Sequence, residues 1–172
     1  LINEIKKADD YNVNKIENLN SKKKVLLKKI YSNLNPWQKV QVSRHGERPH
    51  TLDYVKNIFQ DIVLLHGDKK YADDNAIVGG IGKIAEKSVF FVGTEKGNTM
   101  ETRIKHNFGM ARPEGYRKVQ RLLKLAEKFK LPLISFVDTA GAFPGKDAEE
   151  RGQSESIASS ILHFLKTKIP TI

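Results

Sequence analysis

The chain has 172 residues, enough for one domain with a short appendage. Its composition, 39% hydrophobic and 29% charged, is that of a globular chain, and the absence of cysteine excludes disulfides and cysteine-ligated zinc or iron–sulfur centres. The net charge of +10 suits nucleic acid, an anionic cofactor, an acidic protein surface or simply a solvated face, but no RNA-recognition motif, zinc finger or aromatic-interleaved basic stripe accompanies it.

Residues 1–35 are rich in Lys and Asn, with Ile16, Leu19, Leu26, Ile30 and Leu34 at helical spacings. They predict an amphipathic helical segment that packs against the domain or a partner. Asn35-Pro36 ends it, because proline disfavours helix at the residue before it. Residues 36–50, holding the lone Trp37 and the cluster Arg44, His45, Arg48 and His50, are expected as an ordered loop. Thr51 is placed as the cap of a helix over 52–65, with Val55, Ile58, Phe59 and Ile62 on one face and Gly67 as its stop. Two strands follow at 76–84 and 88–95, then a long Gly- and charge-rich loop at 96–112.

Pro113-Glu114 opens a helix whose inner face carries Tyr116, Val119, Leu123 and Ala126, with Arg117, Lys118, Arg121 and Lys124 outside. Leu131–Asp138 reads as a buried parallel strand. Asp147-Ala-Glu-Glu150 is the expected N-terminal box of a further helix that buries Ile157, Ala158, Ile161 and Leu165. Ile169–Ile172 begins another strand. Helix and strand alternating in this way give an α/β layered domain.

Most chemical motifs fail on inspection. Asp138-Thr-Ala-Gly141 matches a GTPase switch, yet no P-loop precedes it. Gly79-Gly80-Ile81-Gly82 lacks the spacing and the downstream acid of a dinucleotide loop and is read as structural. There is no nucleophile elbow. The five histidines show no metal-binding spacing and are taken as surface or loop residues; Glu149 and Glu150 are assigned to helix capping. No apolar run approaches the roughly 20 residues of a bilayer span, and no signal-peptide pattern opens the chain, so a reducing cytoplasm and no membrane contact are expected. One stretch stands out: Asp138–Gly145 joins a buried strand to a helix start, where small residues admit a ligand to the backbone and free N–H groups meet anions. From spacing alone a tight strand-to-helix turn is the better account.

That stretch, continued by Ala148-Glu-Glu-Arg-Gly-Gln-Ser-Glu155, resembles the signature of the carboxyltransferase alpha subunits of bacterial acetyl-CoA carboxylase. Arg48–Val55, Tyr71–Gly80, Asn107–Met110 and Pro113–Lys118 agree with the same family in the same order. The resemblance implies a crotonase-like fold of stacked ββα units preceded by N-terminal helices, with residues 1–35 as the helical segment and 36–172 as the N-terminal part of an incomplete carboxyltransferase domain. It implies an α2β2 assembly with a zinc-bearing beta subunit and no metal in this chain. It also implies transfer of a carboxyl group from carboxybiotin, held on the biotin carboxyl carrier protein, to the coenzyme A thioester acetyl-CoA, giving malonyl-CoA for fatty-acid synthesis. Such chemistry needs no side-chain nucleophile. Backbone donors stabilise an enolate and a ureido oxyanion, and in the family this subunit's set lies on a glycine-rich loop expected beyond Ile172, so the chain by itself is expected to be inactive. Gly141, Ala142, Phe143, Pro144 and Gly145 are expected to wall the biotin-side pocket. Arg103, Lys105, Arg112 and Arg117 are open as partners of CoA phosphates or of a subunit surface. Two positions depart from the family, which has Pro and Tyr where this chain has Ala140 and Phe143. The alternatives are a basic RNA-binding module, or non-specific nucleic-acid binding, and a non-catalytic partner subunit.

Overall fold

A computed structural model describes residues 13–172. The first part of the expected N-terminal segment, residues 1–12, lies outside the described residues. Two compact units divide the chain after Arg48.

In the first unit, helix α1 spans Val13–Tyr31 and α2 spans Pro36–Ser43. The second helix lies in the stretch expected as loop. Asn35 accepts the Gln38 N–H on its side chain at 2.8 Å, and the Gln38 side chain accepts the Asn35 N–H at 2.9 Å. With Pro36 in the first turn, this reciprocal pair starts a helix where the proline was read only as a stop. Leu26, Ile30 and Trp37 are exposed.

The second unit, Pro49–Ile172, is built on a four-stranded sheet ordered β1-β2-β3-β4. It starts with α3 (Thr51–Ile58), which gives way to β1 (Gln60–Leu64). The single helix expected over 52–65 is therefore a helix and a strand. Val55 and Phe59 face the core, whereas β1 is an exposed edge strand with a bulge between Gln60 and Val63 and a left-handed Asp61. The helix cap is His50 rather than Thr51: the His50 N–H donates to Asp53, and the Thr51 hydroxyl donates to the Thr94 carbonyl at 2.5 Å.

Strands β2 (Ile77–Ile84) and β3 (Lys87–Thr94) form an antiparallel hairpin in register Ile77↔Thr94 through Ile84↔Lys87. Its two-residue turn, Ala85-Glu86, is left-handed at both positions. Gly79 and Gly80 are structural, as expected: a Cβ at Gly79 would stand 2.4 Å from the Leu122 side chain, and one at Gly80 2.2 Å from the Val63 carbonyl. The loop expected over 96–112 contains α4 (Met100–Lys105), capped by Thr99 onto the Thr102 N–H, and a 3-10 turn at Asn107–Gly109.

Helix α5 (Pro113–Phe129) lies across one face of the sheet. Phe90, Val92, Leu122, Leu123, Ala126 and Leu133 close that core; Val55, Phe59, Val89 and Phe91 close the other face under α3. Alternate β3 residues thus feed opposite cores, as the period of a strand demands. Strand β4 (Leu133–Phe136) runs parallel to β3, and the chain returns after α6 (Lys146–Glu150) and α7 (Gln153–Lys166). At the far edge of β4, Leu133 and Ser135 donate to the carbonyls of Pro170 and Ile172, so the last residues do start a parallel neighbour.

Two expectations about this region fail. Asp147 sits inside α6 and Gly145 is its cap, while a left-handed Gly152 separates α6 from α7. Helix α7 turns Gln153, Ser156 and Ser160 inward against α5, leaving Ala158, Ile161 and Leu165 exposed and Ile157 half-buried. The hydroxyl of Ser160 and the carbonyl of Ser156 both accept from the Gln120 side chain, so small polar residues make the close contact that aliphatic ones were expected to make. No helix among the described residues is long and apolar enough to cross a membrane.

Candidate functional site

The loop after β4 leaves the sheet at the carboxyl end of a parallel strand, and its backbone is tied down along its length. The Asp138 N–H donates to the Thr94 hydroxyl at 2.6 Å, and the Asp138 carboxylate pairs with Lys96 at 2.5 Å. The Thr139 hydroxyl donates to the Gly109 carbonyl at 2.6 Å and accepts the Gly141 N–H at 3.0 Å. Ala142 bridges Ala111 in parallel, with the Phe143 N–H on the Ala111 carbonyl at 3.0 Å.

Gly141 has φ +148°, a conformation L side chains rarely adopt, and a Cβ there would meet nothing within 4 Å. Gly141 and Pro144 are exposed; Ala142, Phe143 and Gly145 are half-buried. The structure therefore brings the five expected residues together as one presented loop, on the start of α6.

Behind the loop stands Gln153. It is buried, and its amide nitrogen donates to the carbonyls of Ala111 at 2.9 Å and Phe143 at 3.1 Å. Its Oε1 is buried without a hydrogen-bond partner among the described residues. Arg112 lies over the Phe143 ring, 4.5 Å from its centroid, and its guanidinium is 3.6 Å from the Asp147 carboxylate.

The four basic candidates separate. Arg117 is committed to the frame: it donates to Asp68 at 2.8 Å and to the Arg151 carbonyl at 3.2 Å, and neighbours Glu114 at 3.6 Å. Arg112 belongs to the loop. Arg103 and Lys105 lie on α4, where the Arg103 Nε donates to the Gly97 carbonyl at 3.4 Å.

A buried ionic frame supports the start of α5. Lys118, expected outside, is enclosed and pairs with Asp73 and with the Asp74 carbonyl at 2.8 Å. Burial works against the charge on Asp73, but the Lys118 ammonium and the Gly67 N–H outweigh it and hold its pKa down to about 2. Burial likewise opposes the charge on Asp68, and the Tyr71 N–H with the Arg117 guanidinium brings its pKa below the usual value. Asp74 goes the other way: desolvation raises it, although the N–H groups of Arg112 and Ala76 donate to its carboxylate. Glu114, also buried, receives Arg151 at 3.0 Å. Among the histidines, expected on the surface or in loops, His106 lies in the turn after α4 and is buried, with Nδ1 2.6 Å from the Asn75 carbonyl. No group of three or more His, Cys, Asp or Glu side chains among the described residues is arranged to hold a metal.

Beside the loop, between α5, α7 and the end of β4, lies an apolar cavity of about 480 Å³. Tyr116, Phe136, Val137, Thr139, Ile161 and Leu165 are among its walls. Thr139 is shared with the loop, while none of Gly141–Gly145 lines the cavity.

All 172 residues match the acetyl co-enzyme A carboxylase carboxyltransferase-like family. The chain belongs to that family. It is 52% identical over 164 residues to the acetyl-coenzyme A carboxylase carboxyl transferase subunit alpha of Rhodospirillum centenum, covering 95% of this chain and 52% of that protein. The same subunit of Aromatoleum aromaticum is 54% identical over 157 residues, covering 91% and 49%. The chain thus spans about half the length of these relatives. Among solved structures, a single-chain, multi-domain long-chain acyl-CoA carboxylase aligns with 75% of this chain and 12% of its own, with TM-score 0.60 and 19% identity. Transcarboxylase 12S aligns with 74% and 23%, with TM-score 0.59 and 18% identity. These two likenesses carry the fold alone, and it is the crotonase-like α/β fold of carboxyltransferases.

Proposed function

We propose that this chain forms part of the alpha subunit of an acetyl-CoA carboxylase carboxyltransferase, moving a carboxyl group from carrier-bound carboxybiotin to acetyl-CoA and yielding malonyl-CoA for fatty-acid synthesis in the cytoplasm. The observation that carries this reading is the family match over the whole chain, including the loop held at the carboxyl end of β4. Residues 36–172 make up the first part of the carboxyltransferase domain, and residues 1–35 its helical preface. The loop Gly141–Gly145 walls the biotin side of the site, with the Phe143 ring, backed by Arg112, as an apolar surface. The thioester, the zinc-bearing beta subunit in an α2β2 assembly and the remaining oxyanion donors complete the site. Developing negative charge on the enolate and the ureido oxygen is met by backbone N–H groups, one lost donor costing about 3–4 kcal/mol.

Gly141→Val in the full-length subunit, assembled with its beta partner, tests the assignment. No atom lies within 4 Å of the new Cβ, so the fold and assembly should survive, while the strained backbone and the added bulk disturb the loop. Malonyl-CoA-dependent carboxylation of biotin should fall to background; unchanged turnover would remove this loop from the site.

A further inference from the structure

Next to the loop, the segment from Met100 to Phe108 exposes three large apolar side chains at four-residue intervals. Met100 is 66% exposed, Ile104 64% and Phe108 45%. The last is held out at a conformational cost. Asn107, Phe108 and Gly109 are all left-handed, with φ of 49°, 54° and 76°. For a bulky residue such as Phe that is a true outlier, and such strain persists only where the surroundings impose it.

Here they do. The Asn107 side chain donates to the Met110 carbonyl at 2.7 Å, the Gly109 N–H donates to the His106 carbonyl at 2.9 Å, and buried His106 anchors to Asn75. Two ties join this segment to the candidate site: Thr139 to the Gly109 carbonyl, and Asp138 to Lys96 just before α4. The apolar residues are interleaved with Glu101, Arg103 and Lys105, and neither cation has a carboxylate partner among the described residues.

We propose that α4 and the Asn107–Gly109 turn are the docking face for the protein that delivers tethered biotin, a carrier meeting this chain with an apolar contact and an acidic rim. The inference rests on the carboxyltransferase reading above. Biotin fixed to a carrier must enter and leave at every turnover, so the surface beside its pocket has to bind briefly. Three apolar side chains among charged ones suit a small, transient contact with a polar rim, whereas a permanent subunit interface is larger and more apolar. Lys105, and Arg103, whose Nε donates to the Gly97 carbonyl at 3.4 Å, face no carboxylate among the described residues and supply the charge that an acidic partner complements and that speeds its approach.

The test compares two substrates in the full-length subunit assembled with its beta partner. Ile104→Asp, and separately Lys105→Glu, are assayed for malonyl-CoA-dependent carboxylation of free biotin and of carrier-linked biotin, with assembly followed by size-exclusion chromatography. Both positions are exposed, so folding is not at stake. The expected result is a KM for the carrier raised about tenfold by Ile104→Asp, a smaller rise with Lys105→Glu, and unaltered kinetics with free biotin. Equal loss on both substrates would place the segment in the pocket, loss of assembly would make it a subunit interface, and no change on either would leave it without a partner role; each overturns the docking proposal. No carboxylation of free biotin by the unsubstituted assembly would instead sink the functional reading on which the proposal stands.

Discussion

Lys118 shows what a single residue conceals in sequence. It stands among Arg117, Arg121 and Lys124, and a helix wheel puts it with them in water; in the fold it is almost fully enclosed. The deciding partners, Asp73 and the Asp74 carbonyl, come from a turn distant in the chain, so no local pattern could report them. A buried ammonium is tolerable only with such partners, and removing one side of a buried pair typically costs about 3–5 kcal/mol. Lys118→Met should therefore lower unfolding stability by about 3 kcal/mol in urea titrations. The sign with pH follows from Asp73, whose folded pKa lies at about 2, below the ordinary aspartate value of 3.8. The unfolded chain takes up its proton first as pH falls, so the contribution of this pair is complete above about pH 4 and vanishes between there and about pH 2. Lys118→Met should flatten the pH dependence of stability across that window. An unchanged slope would show that Lys118 does not set the acidity of Asp73. Gln153 is hidden in the same way: in sequence it is one letter of a signature, yet its amide locks the carbonyls of Ala111 and Phe143 behind the loop.

At the level of elements, hydrophobic period carried the reading where burial is one-sided and failed where it is not. Strands β2 and β3, helix α5 and strand β4 appear within a few residues of their expected limits because both faces of the sheet and one face of α5 are filled. The edge strand β1 was missed because Ile62, Val63 and Leu64 all remain exposed and Ile62 continues the helical spacing of Val55, Ile58 and Phe59. The missed helices α2 and α4 carried their signals in capping pairs, Asn35 with Gln38 and Thr99 with Thr102. The two strands β2 and β3 were expected, but their hairpin pairing and its turn chemistry were not: Ala85-Glu86 takes the left-handed conformations that Asn-Gly favours. Replacing the pair by Ala85→Asn and Glu86→Gly should raise stability by about 1 kcal/mol, since each strained L-residue costs about 1–2 kcal/mol. Thermal melts of the double variant would check this, and a lowered melting temperature would mean that the turn draws compensation from elsewhere.

Across the whole molecule, the loop Asp138–Gly145 was legible as a place and as a family mark, but the ground beside it was not. Helix α7 was expected to bury Ile161 and Leu165; it buries serines against α5 and leaves those two side chains 58% and 78% exposed at the rim of the 480 Å³ cavity, with Val137 at 81%. So much apolar surface in one concavity is unusual for a chain complete in itself and marks a surface meant to be covered. The relatives extend to about twice this length, and the bridge from Leu133 to Thr171 already brings the backbone of Ile172 beside Ser135, which lines the same cavity. A polypeptide of these 172 residues should accordingly bind the apolar dye ANS, and Ile161→Glu should cut that binding several-fold by placing a charge in the cavity wall. The polypeptide lengthened to the span of its relatives should bind little dye, because the added half shields the cavity. There the same substitution should cost stability, a carboxylate then being desolvated without a partner. If both lengths bind the dye equally, the cavity stays open in the longer polypeptide, and the apolar wall between α5 and α7 belongs to a ligand or another chain rather than to the added half.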